Sequence, residues 1–267
     1  MEQAYEMNRV EKRRQRKLTK MAAVRSPNQP SPSSQQAIYL ALQHHNAGRI
    51  PEAEDICQQM LSDYPNHPVA LHLLGVIAHQ AGRDEVAVDL INKALSIMPN
   101  FAQAHNNLGK VFQEQDKLEL AMEAYKKATS LKLEYSEAWT NGAEALEKWN
   151  KLDELDDWLK QAHKNFKIVP SDISYFQSKF LWRIKERKEA LKLISTINLK
   201  TVSENRKQGF LNLKAKCFES SQNFSKAYDC FLEMNLLAKK SNTYLNSNSD
   251  KFFANTKNQL EQLKLKL

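Results

Sequence analysis

Glycine and proline are both scarce in this chain, which has 6 glycines and 8 prolines among 267 residues. So few glycines argue against an all-β fold, which needs many tight turns, and against an enzyme built on glycine-rich phosphate loops. Neither of the common phosphate-binding patterns, GxGxxG and GxxxxGK[ST], occurs. Alanine, leucine, lysine, glutamate, glutamine and asparagine are abundant instead, and this composition favours helices.

Long apolar runs and cysteines are lacking as well. No stretch approaches about 18 consecutive apolar residues, so no transmembrane helix is predicted. The start of the chain, MEQAYEMNRVEKRRQRK, is charged and has no apolar core, so no secretory signal is expected. The three cysteines, Cys57, Cys217 and Cys230, are odd in number and show no CxxC spacing. They predict neither a disulfide framework nor a zinc site, and they favour a reducing, cytoplasmic location with Cys57 and Cys230 as buried thiols.

The net charge of +8 is concentrated at the two ends of the chain. Residues 1–33 have a net charge of +5, residues 239–267 of +4, and the segment between them of only −1. Two interpretations of segment 9–20 stay open: a solvated basic end, or an arm that binds nucleic acid or an anionic membrane. The basic residues concerned are Arg9, Lys12, Arg13, Arg14, Arg16, Lys17 and Lys20. Segment 26–34, rich in proline and serine, predicts a flexible linker, so residues 1–33 are expected to be largely disordered.

A repeat of 34 residues organises the middle of the chain. Three series of residues recur at this spacing and satisfy one alignment: Ala41, Gly75 and Gly109; Ala53, Ala87 and Ala121; Pro65 and Pro99. Apolar residues spaced three and four apart predict two amphipathic helices in each unit. Helices that cross closely need a small residue where their axes meet, and a proline after the second helix ends it before the next unit.

The repeat continues with weaker spacing in the second half of the chain. Units are predicted to start near residues 34, 68, 102, 136, 171 and 208, which makes an array over 34–238. In the fourth unit Gly142 replaces the expected leucine and Leu155 the expected alanine, so this helix pair should pack more loosely or at another angle. Segment 199–206 is predicted to be the longest loop. A connector and a final helix over 239–267 are expected to follow, and the helix would cover the last unit.

Two copies of the repeat resemble a known family. The sequences HLLGVIAHQAGRDEVAVDLINKALSIMP and HNNLGKVFQEQDKLELAMEAYKKA resemble the tetratricopeptide repeat, with its W-x2-L-G-x2-Y pattern followed by Ala, an aromatic residue, Ala and Pro. The resemblance implies an all-α fold, a right-handed solenoid of about six helix–turn–helix units with a C-terminal capping helix. It also implies a non-catalytic scaffold that holds an extended peptide of a partner protein in a concave groove.

Most of the chain also resembles the repeat arms of bacterial TPR-containing sulfotransferases and of proteins like the O-linked N-acetylglucosamine transferases. The stretches concerned are HHNAGRIPEAEDICQQML with ALHLLGVIAHQAGR, the start MNRVEKRRQRKLTK, and FSKAYDCFLEMNLLAKKSNTYLNSNSDKFF. This resemblance implies an alternative function, as the substrate-recognition arm of such a transferase. The phosphate-binding loop of those sulfotransferases, similar to PxxRSGT, does not occur in the sequence, so the chain itself is not expected to be an enzyme.

The family pattern implies that the first helix of each unit lines the groove. The side chains expected to point into it are His72, His79, Gln103, Asn106, Asn107, Lys110, Gln113, Asn141, Glu144, Lys148, Lys179, Arg183, Asn212 and Lys216. Asn107 and Asn141 are 34 residues apart. Stacked, they would resemble the asparagine ladder of the O-linked N-acetylglucosamine transferases, whose amides bond to a peptide backbone. The alternative is that two solvated asparagines recur without a binding role.

The sequence gives little support for a carboxylate clamp, a metal site or a catalytic site. Lys110 with the two asparagines makes only part of a clamp for a C-terminal carboxylate, because Leu73 and Val76 hold the matching places in the second unit. His72 and His79 share a helix face, but no carboxylate or cysteine on that helix completes a metal-ligand set. His105 stands where the family often has Trp, so we expect it to pack structurally. No metal, cofactor or catalytic residue is predicted.

Overall fold

The structure, a computed structural model, describes residues 34–240, without the side chains of the last two. Within this range all regular structure is helical, with twelve α helices and two short 3-10 helices. The all-α fold predicted from the sequence is therefore confirmed. The helices form two compact units, which divide between Ala70 and Leu71, in the first turn of the third helix.

The α helices are arranged in six consecutive hairpins. They are α1 (Ser34–Asn46), α2 (Ile50–Asp63), α3 (Pro68–Gln80), α4 (Asp84–Ile97), α5 (Ala102–Glu114), α6 (Leu118–Leu131), α7 (Ser136–Lys148), α8 (Leu152–Asn165), α9 (Ser171–Arg183), α10 (Arg187–Thr196), α11 (Lys207–Ser220) and α12 (Phe224–Lys240). The 3-10 helices, Leu199–Thr201 and Glu204–Arg206, lie between α10 and α11.

Each hairpin turns through one residue in the left-handed conformation. These residues are Gly48 (φ 72°), Gly82 (φ 70°), Asp116 (φ 61°), Asn150 (φ 60°), Lys185 (φ 67°) and Gln222 (φ 59°). Every turn is closed by a backbone N–H that bonds to the carbonyl five residues earlier, as Arg83 does to Ala78 at 2.9 Å. Left-handed backbone costs a residue with a Cβ about 1–2 kcal/mol. The packing of the two helices must offset this cost in the four turns without glycine.

Small residues let the helices of a hairpin approach closely, as the repeat predicted. A Cβ on Gly75 would lie 2.7 Å from Cγ1 of Ile91, and one on Gly109 would lie 2.6 Å from Cε1 of Tyr125. On the second helices the matching Ala87 is fully buried. In the first compact unit Ala41 and Ala53 are fully buried as well. The predicted close crossing is confirmed in these hairpins.

The fourth hairpin, α7–α8, exchanges the sizes of two facing residues. Gly142 lies where the preceding hairpin has Leu108, and Trp158 lies where it has Ala124. A Cβ on Gly142 would lie 2.5 Å from Cζ2 of Trp158, whose side chain is buried. The Trp158 ring lies 4.4 Å from that of Trp139, and its Nε1 donates to the Trp139 carbonyl at 2.8 Å. The looser or re-angled packing predicted here is confirmed, because α7 and α8 approach each other closely over fewer residues than α5 and α6 do, and the buried indole fills the space between them.

His105 and Trp139 hold matching places on α5 and α7 and make matching bonds. His105 Nε2 lies 2.9 Å from the carbonyl oxygen of Pro99, and Trp139 Nε1 donates to the carbonyl of Leu133 at 2.7 Å. Each ring ties a first helix to the turn before it. The structural role predicted for His105 is confirmed.

One buried cluster runs through the hairpins from α6 to α12. Its members include Tyr125, Leu146, Leu155, Ile173 and Phe210, which are among the largest fully buried side chains of the described residues. Each helix from α4 to α11 contacts the next one along the chain, so a second helix packs on both the first helix of its own hairpin and that of the following hairpin. This leaves the first helices to form a separate surface.

Several predictions fall outside the described residues. They concern the basic arm 9–20, the linker, the connector after residue 240 and the final helix over 250–267. Among the residues that the structure describes, no helix is both long and apolar enough to cross a membrane.

Candidate functional site

The first helices of successive hairpins lie side by side. α5 contacts α7, α7 contacts α9, and α9 contacts α11. Side chains on these helices also bond back to the first helix of the preceding hairpin. We name the surface formed by α3, α5, α7, α9 and α11 the A-helix face. Every predicted site residue belongs to one of these helices, but the structure places them in quite different environments.

His72 and Asn107 bond to each other across α3 and α5. Asn107 Nδ2 lies 2.9 Å from Nε2 of His72. The His72 ring packs edge-on against Phe101, with ring centroids 4.7 Å apart. Burial lowers the pKa of His72 to about 4, so the ring is neutral near pH 7. This histidine therefore holds a neighbouring asparagine in place and carries no charge toward solvent.

Asn106 and Asn141 form a second amide pair, one hairpin further along. Asn141 Nδ2 donates to Oδ1 of Asn106 at 3.0 Å. Asn106 is fully buried and Asn141 is 8% exposed, so Asn106 does not point into open space as the sequence predicted. Asn107 and Asn141 occupy matching places in the repeat, but one bonds to His72 and the other to Asn106. Both amides are used to join hairpins.

Charged side chains make further bonds between hairpins. Lys148 Nζ lies 2.8 Å from Oδ1 of Asp116. Lys179 Nζ lies 2.5 Å from Oε2 of Glu147, and Arg183 bonds to the Glu147 carbonyl at 3.4 Å. These groups are partly exposed, and exposed ion pairs contribute only about 0–1 kcal/mol each. A ligand can therefore replace them at low cost.

His79 and Gln113 are tied to neighbours as well. His79 Nδ1 lies 2.8 Å from Oδ1 of Asp84, and its Nε2 lies 3.4 Å from Oε1 of Glu114. Gln113 Oε1 accepts a hydrogen bond of 2.8 Å from the Tyr125 hydroxyl. Of the two, His79 links α3 to the end of α5, while Gln113 fixes the second helix of its own hairpin.

A smaller set of the predicted residues remains accessible on the A-helix face. Gln103 and Lys216 are exposed and Asn212 is half-buried. The Lys110 side chain is 44% exposed and lies 4.0 Å from Glu137, at the limit of an ion pair. The Glu144 side chain is also 44% exposed. Together with Lys148 and Arg183, which are exposed although they are bonded to the preceding hairpin, these residues are the ones that a ligand on this face would meet first.

The structure adds Arg206, which sequence reasoning missed. Its Nη2 lies 2.7 Å from Oε2 of Glu144 and 3.4 Å from Oδ1 of Asn141. Its Nη1 lies 3.8 Å from Oδ2 of Asp172. Only 14% of the Arg206 side chain is exposed. An arginine just before an α helix has no place in the helical periodicity. Its role becomes visible only from its partners in the structure, which lie 34 or more residues earlier in the sequence.

Segment 198–206, which we name the strap, carries Arg206 onto the A-helix face. The Ser203 backbone N–H donates to Oδ1 of Asp172 at 3.0 Å, and its hydroxyl bonds to the other carboxylate oxygen. The hydroxyls of Ser171 and Thr201 lie 2.6 Å apart. Val202 is buried in the main cluster. The loop predicted over 199–206 is thus two 3-10 turns fastened to the start of α9.

The described residues offer no group of three or more His, Cys, Asp and Glu side chains that could hold a metal ion. Cys57, Cys217 and Cys230 are free and buried, and burial raises the pKa of Cys57 to about 12 and that of Cys217 to about 11. Thiols of this kind are poor nucleophiles. The chemistry of the A-helix face consists of amides, carboxylates and cations that can bond to a ligand.

Two family models, both described as tetratricopeptide repeat, match residues 45–111 and 102–135. The chain therefore contains tetratricopeptide repeats, as the sequence predicted. No curated protein matches the chain.

Solved structures with the same fold are numerous, and the three named here are 13–19% identical to this chain. PilF of Pseudomonas aeruginosa is similar with a TM-score of 0.66 and 19% identity, over 83% of this chain and 96% of that one. PilW, a type IV pilus biogenesis factor, gives a TM-score of 0.64 and 16% identity, over 81% and 98%. A tetratricopeptide repeat protein of Parabacteroides merdae gives 0.58 and 13%, over 85% and 83%. These similarities establish the fold. The resemblance to transferase repeat arms stays a prediction.

Proposed function

We propose that this chain, which carries tetratricopeptide repeats, is a non-catalytic protein-interaction scaffold whose A-helix face binds an extended peptide of a partner protein. The observation that carries the proposal is a difference between two helix surfaces: one is apolar and buried, and the other is polar and accessible. From α6 to α12, the inner sides of both the first and the second helices pack into the buried cluster. The accessible groups of the A-helix face, such as Gln103 and Lys110 on α5 and Lys216 on α11, are polar.

An extended peptide suits this surface because its backbone presents a donor and an acceptor at every residue. Amide and ammonium groups on successive first helices can bond to such a backbone with little dependence on its side chains. Affinity then comes from many weak contacts, because each polar group is partly solvated before binding. Three free, buried thiols fit the reducing, cytoplasmic location that we propose for the chain.

The test is a selection of random twelve-residue peptides on the immobilised full chain, followed by affinity measurements on matched charge reversals. Lys110→Glu changes an accessible group of the A-helix face. Lys126→Glu makes the same change on the exposed side of α6, the second helix of the same hairpin. We expect Lys110→Glu to change the affinity of the selected peptides at least fivefold and Lys126→Glu to leave it within twofold, since a lost charged contact is worth about 1 kcal/mol or more.

A selection that yields no peptide contradicts the proposal, and so does an equal effect of the two reversals. The pair Asn107 and Asn141 is less suitable for this test, because Asn141 is buried against Asn106. Removing its amide would destabilise the array and confuse a folding defect with a binding defect.

A further inference from the structure

Arg206 fills a pocket on the A-helix face between the fourth and fifth hairpins. The pocket is formed by Asn141 and Glu144 of α7 and by Asp172 and Phe176 of α9. The guanidinium carbon lies 5.8 Å from the centroid of the Phe176 ring, a distance at which a cation is attracted to an aromatic face. Carboxylates, an amide oxygen and an aromatic ring are the groups that proteins use to recognise a guanidinium.

The fit of Arg206 in this pocket is incomplete. Of its contacts only the bond to Glu144, at 2.7 Å, has good length. The contact with Asn141 is 3.4 Å and that with Asp172 is 3.8 Å. Its Nε is enclosed without a hydrogen-bond partner. A buried donor without a partner costs about 1–3 kcal/mol, so the closed position of Arg206 is held less firmly than a fully bonded one.

Glu144 and Asp172 place two carboxylates beside the Arg206 guanidinium, while the Lys179 ammonium, 5.7 Å from the centroid of the same Phe176 ring, is paired with Glu147. The field of these charges reaches Tyr175. Burial, and then the charges of Glu147 and Glu144, raise the pKa of Tyr175 to about 12, while the charge of Arg206 acts in the opposite direction. Carboxylate oxygens at 2.7 Å and 3.8 Å from the guanidinium nitrogens favour a cationic group in this place.

The Arg206 side chain can leave without unfolding its surroundings. The strap has other attachments: Val202 is buried, Ser203 bonds to Asp172, and Thr201 bonds to Ser171. A rotation of one long side chain therefore opens the pocket while the strap stays in place. In solvent the guanidinium regains full hydration, including at Nε.

We propose that this pocket receives a basic side chain, arginine above all, of the bound peptide, and that Arg206 occupies it as a stand-in while the protein is free. The inference rests on the proposed function and names the chemistry of its ligand. A peptide arginine displaces Arg206, takes over its bond to Glu144 and its ion pair with Asp172, and lies near Phe176. Peptides without a basic side chain leave Arg206 in place.

A resident side chain multiplies the affinity of the pocket by the fraction of time for which the pocket is vacant. If Arg206 fills the pocket for 90–99% of the time, the pocket binds a peptide arginine about 10–100 times more weakly than it would if it were vacant. Replacing Arg206 by a neutral residue should remove this penalty. The proposal thus predicts a gain of binding, which damage to the fold does not produce.

The test compares two probes that differ in one group. The first is the N-acetylated hexapeptide amide Ala-Gln-Arg-Ala-Gln-Ala, and the second has citrulline, a neutral isostere, in place of arginine. In the full-length chain we expect the arginine peptide to bind at least tenfold more tightly than the citrulline peptide. Arg206→Gln should raise the affinity for the arginine peptide at least tenfold and leave that for the citrulline peptide unchanged. Adding Glu144→Gln should abolish the preference.

Equal binding of the two probes to the Arg206→Gln variant would overturn the proposal. If the Arg206→Gln variant does not fold, the proposal is tested by the preference of the unchanged chain for the arginine probe and by the loss of that preference in Glu144→Gln. The Glu144 side chain is 44% exposed, so its replacement disturbs the fold little. If selected peptides bind the A-helix face without any preference for arginine, this inference fails and the proposed function stands. If the arginine probe binds while Lys110→Glu and Lys126→Glu affect the selected peptides equally, the pocket stands and the broader function of the A-helix face fails.

Discussion

Replacing Gly142 by alanine tests how the fourth hairpin is packed. The new Cβ would lie 2.5 Å from Cζ2, 2.7 Å from Cε2 and 3.0 Å from Nε1 of Trp158. The indole cannot move aside easily, because it is buried against Trp139 and donates to the Trp139 carbonyl at 2.8 Å. The substitution therefore has to shift a ring that is held on several sides.

The expected loss of stability combines three contributions. Overpacking a filled core costs about 1–3 kcal/mol. A weakened Trp158 hydrogen bond adds about 1 kcal/mol. The better helix propensity of alanine returns about 1 kcal/mol. We therefore expect Gly142→Ala to lower the free energy of unfolding by about 1–3 kcal/mol, with a blue- or red-shifted Trp emission that reports the moved indole.

Gly209 provides the matched control. It also lies in a first helix, α11, but a Cβ there would meet only the tip of Tyr175, with Oη at 2.7 Å and Cζ at 3.7 Å. Only one atom lies closer than 3.4 Å there, against three at Gly142, although the Tyr175 ring is itself buried beside Phe176 and Phe210. Gly209→Ala should therefore lower the free energy of unfolding by about 1 kcal/mol less than Gly142→Ala does. Urea titration followed by circular dichroism measures both variants. Equal effects of the two substitutions, or a stabilised Gly142→Ala variant, would refute this account of the packing.

Three further predictions concern protonation, thiol reactivity and the turns. Because burial lowers the pKa of His72 from 6.5 to about 4, the unfolded chain binds more protons between these values. Stability should fall by up to about 3 kcal/mol as the pH drops through this interval, and urea midpoints at pH 7 and pH 4.5 should differ less in His72→Gln. The buried thiols, with the pKa of Cys57 at about 12, should not react with a disulfide reagent at pH 8 until urea is added; rapid native labelling would contradict their placement. Lys185→Gly should relieve left-handed strain and raise stability by about 1 kcal/mol, whereas Lys192→Gly, inside α10, should lower it by a similar amount, as thermal unfolding can measure.

The sequence predicts the fold well because the repeat depends on local signals. Small residues at the crossing points, apolar residues three and four apart, and a break after each second helix all recur along the chain, so one alignment predicts the hairpins. The exchange between Gly142 and Trp158 was also visible in the sequence. A glycine in place of a leucine predicts a void only if the facing side chain is no larger than usual. The sequence alone does not show that Trp158 is the residue that faces Gly142.

The surface chemistry is predicted less well, since it depends on neighbours from other hairpins. Asn107 and Asn141 match in the alignment, yet one bonds to His72 and the other to Asn106. Spacing within a repeat does not reveal which residue lies opposite in the preceding hairpin. Arg206 is a stronger example, because it stands outside the α helices and its partner Glu144 lies 62 residues earlier.

The most direct test of the central claim is to locate a bound peptide on the chain. A photoreactive benzophenone amino acid would replace Lys110 or Lys216 on the A-helix face, or Lys126 on the opposite side of the third hairpin, and each variant would be irradiated with a selected peptide. Mass spectrometry should find adducts at the first two positions and none at Lys126. Adducts at Lys126 alone, or at equal yield in all three variants, would show that the A-helix face is not where this protein binds its partner.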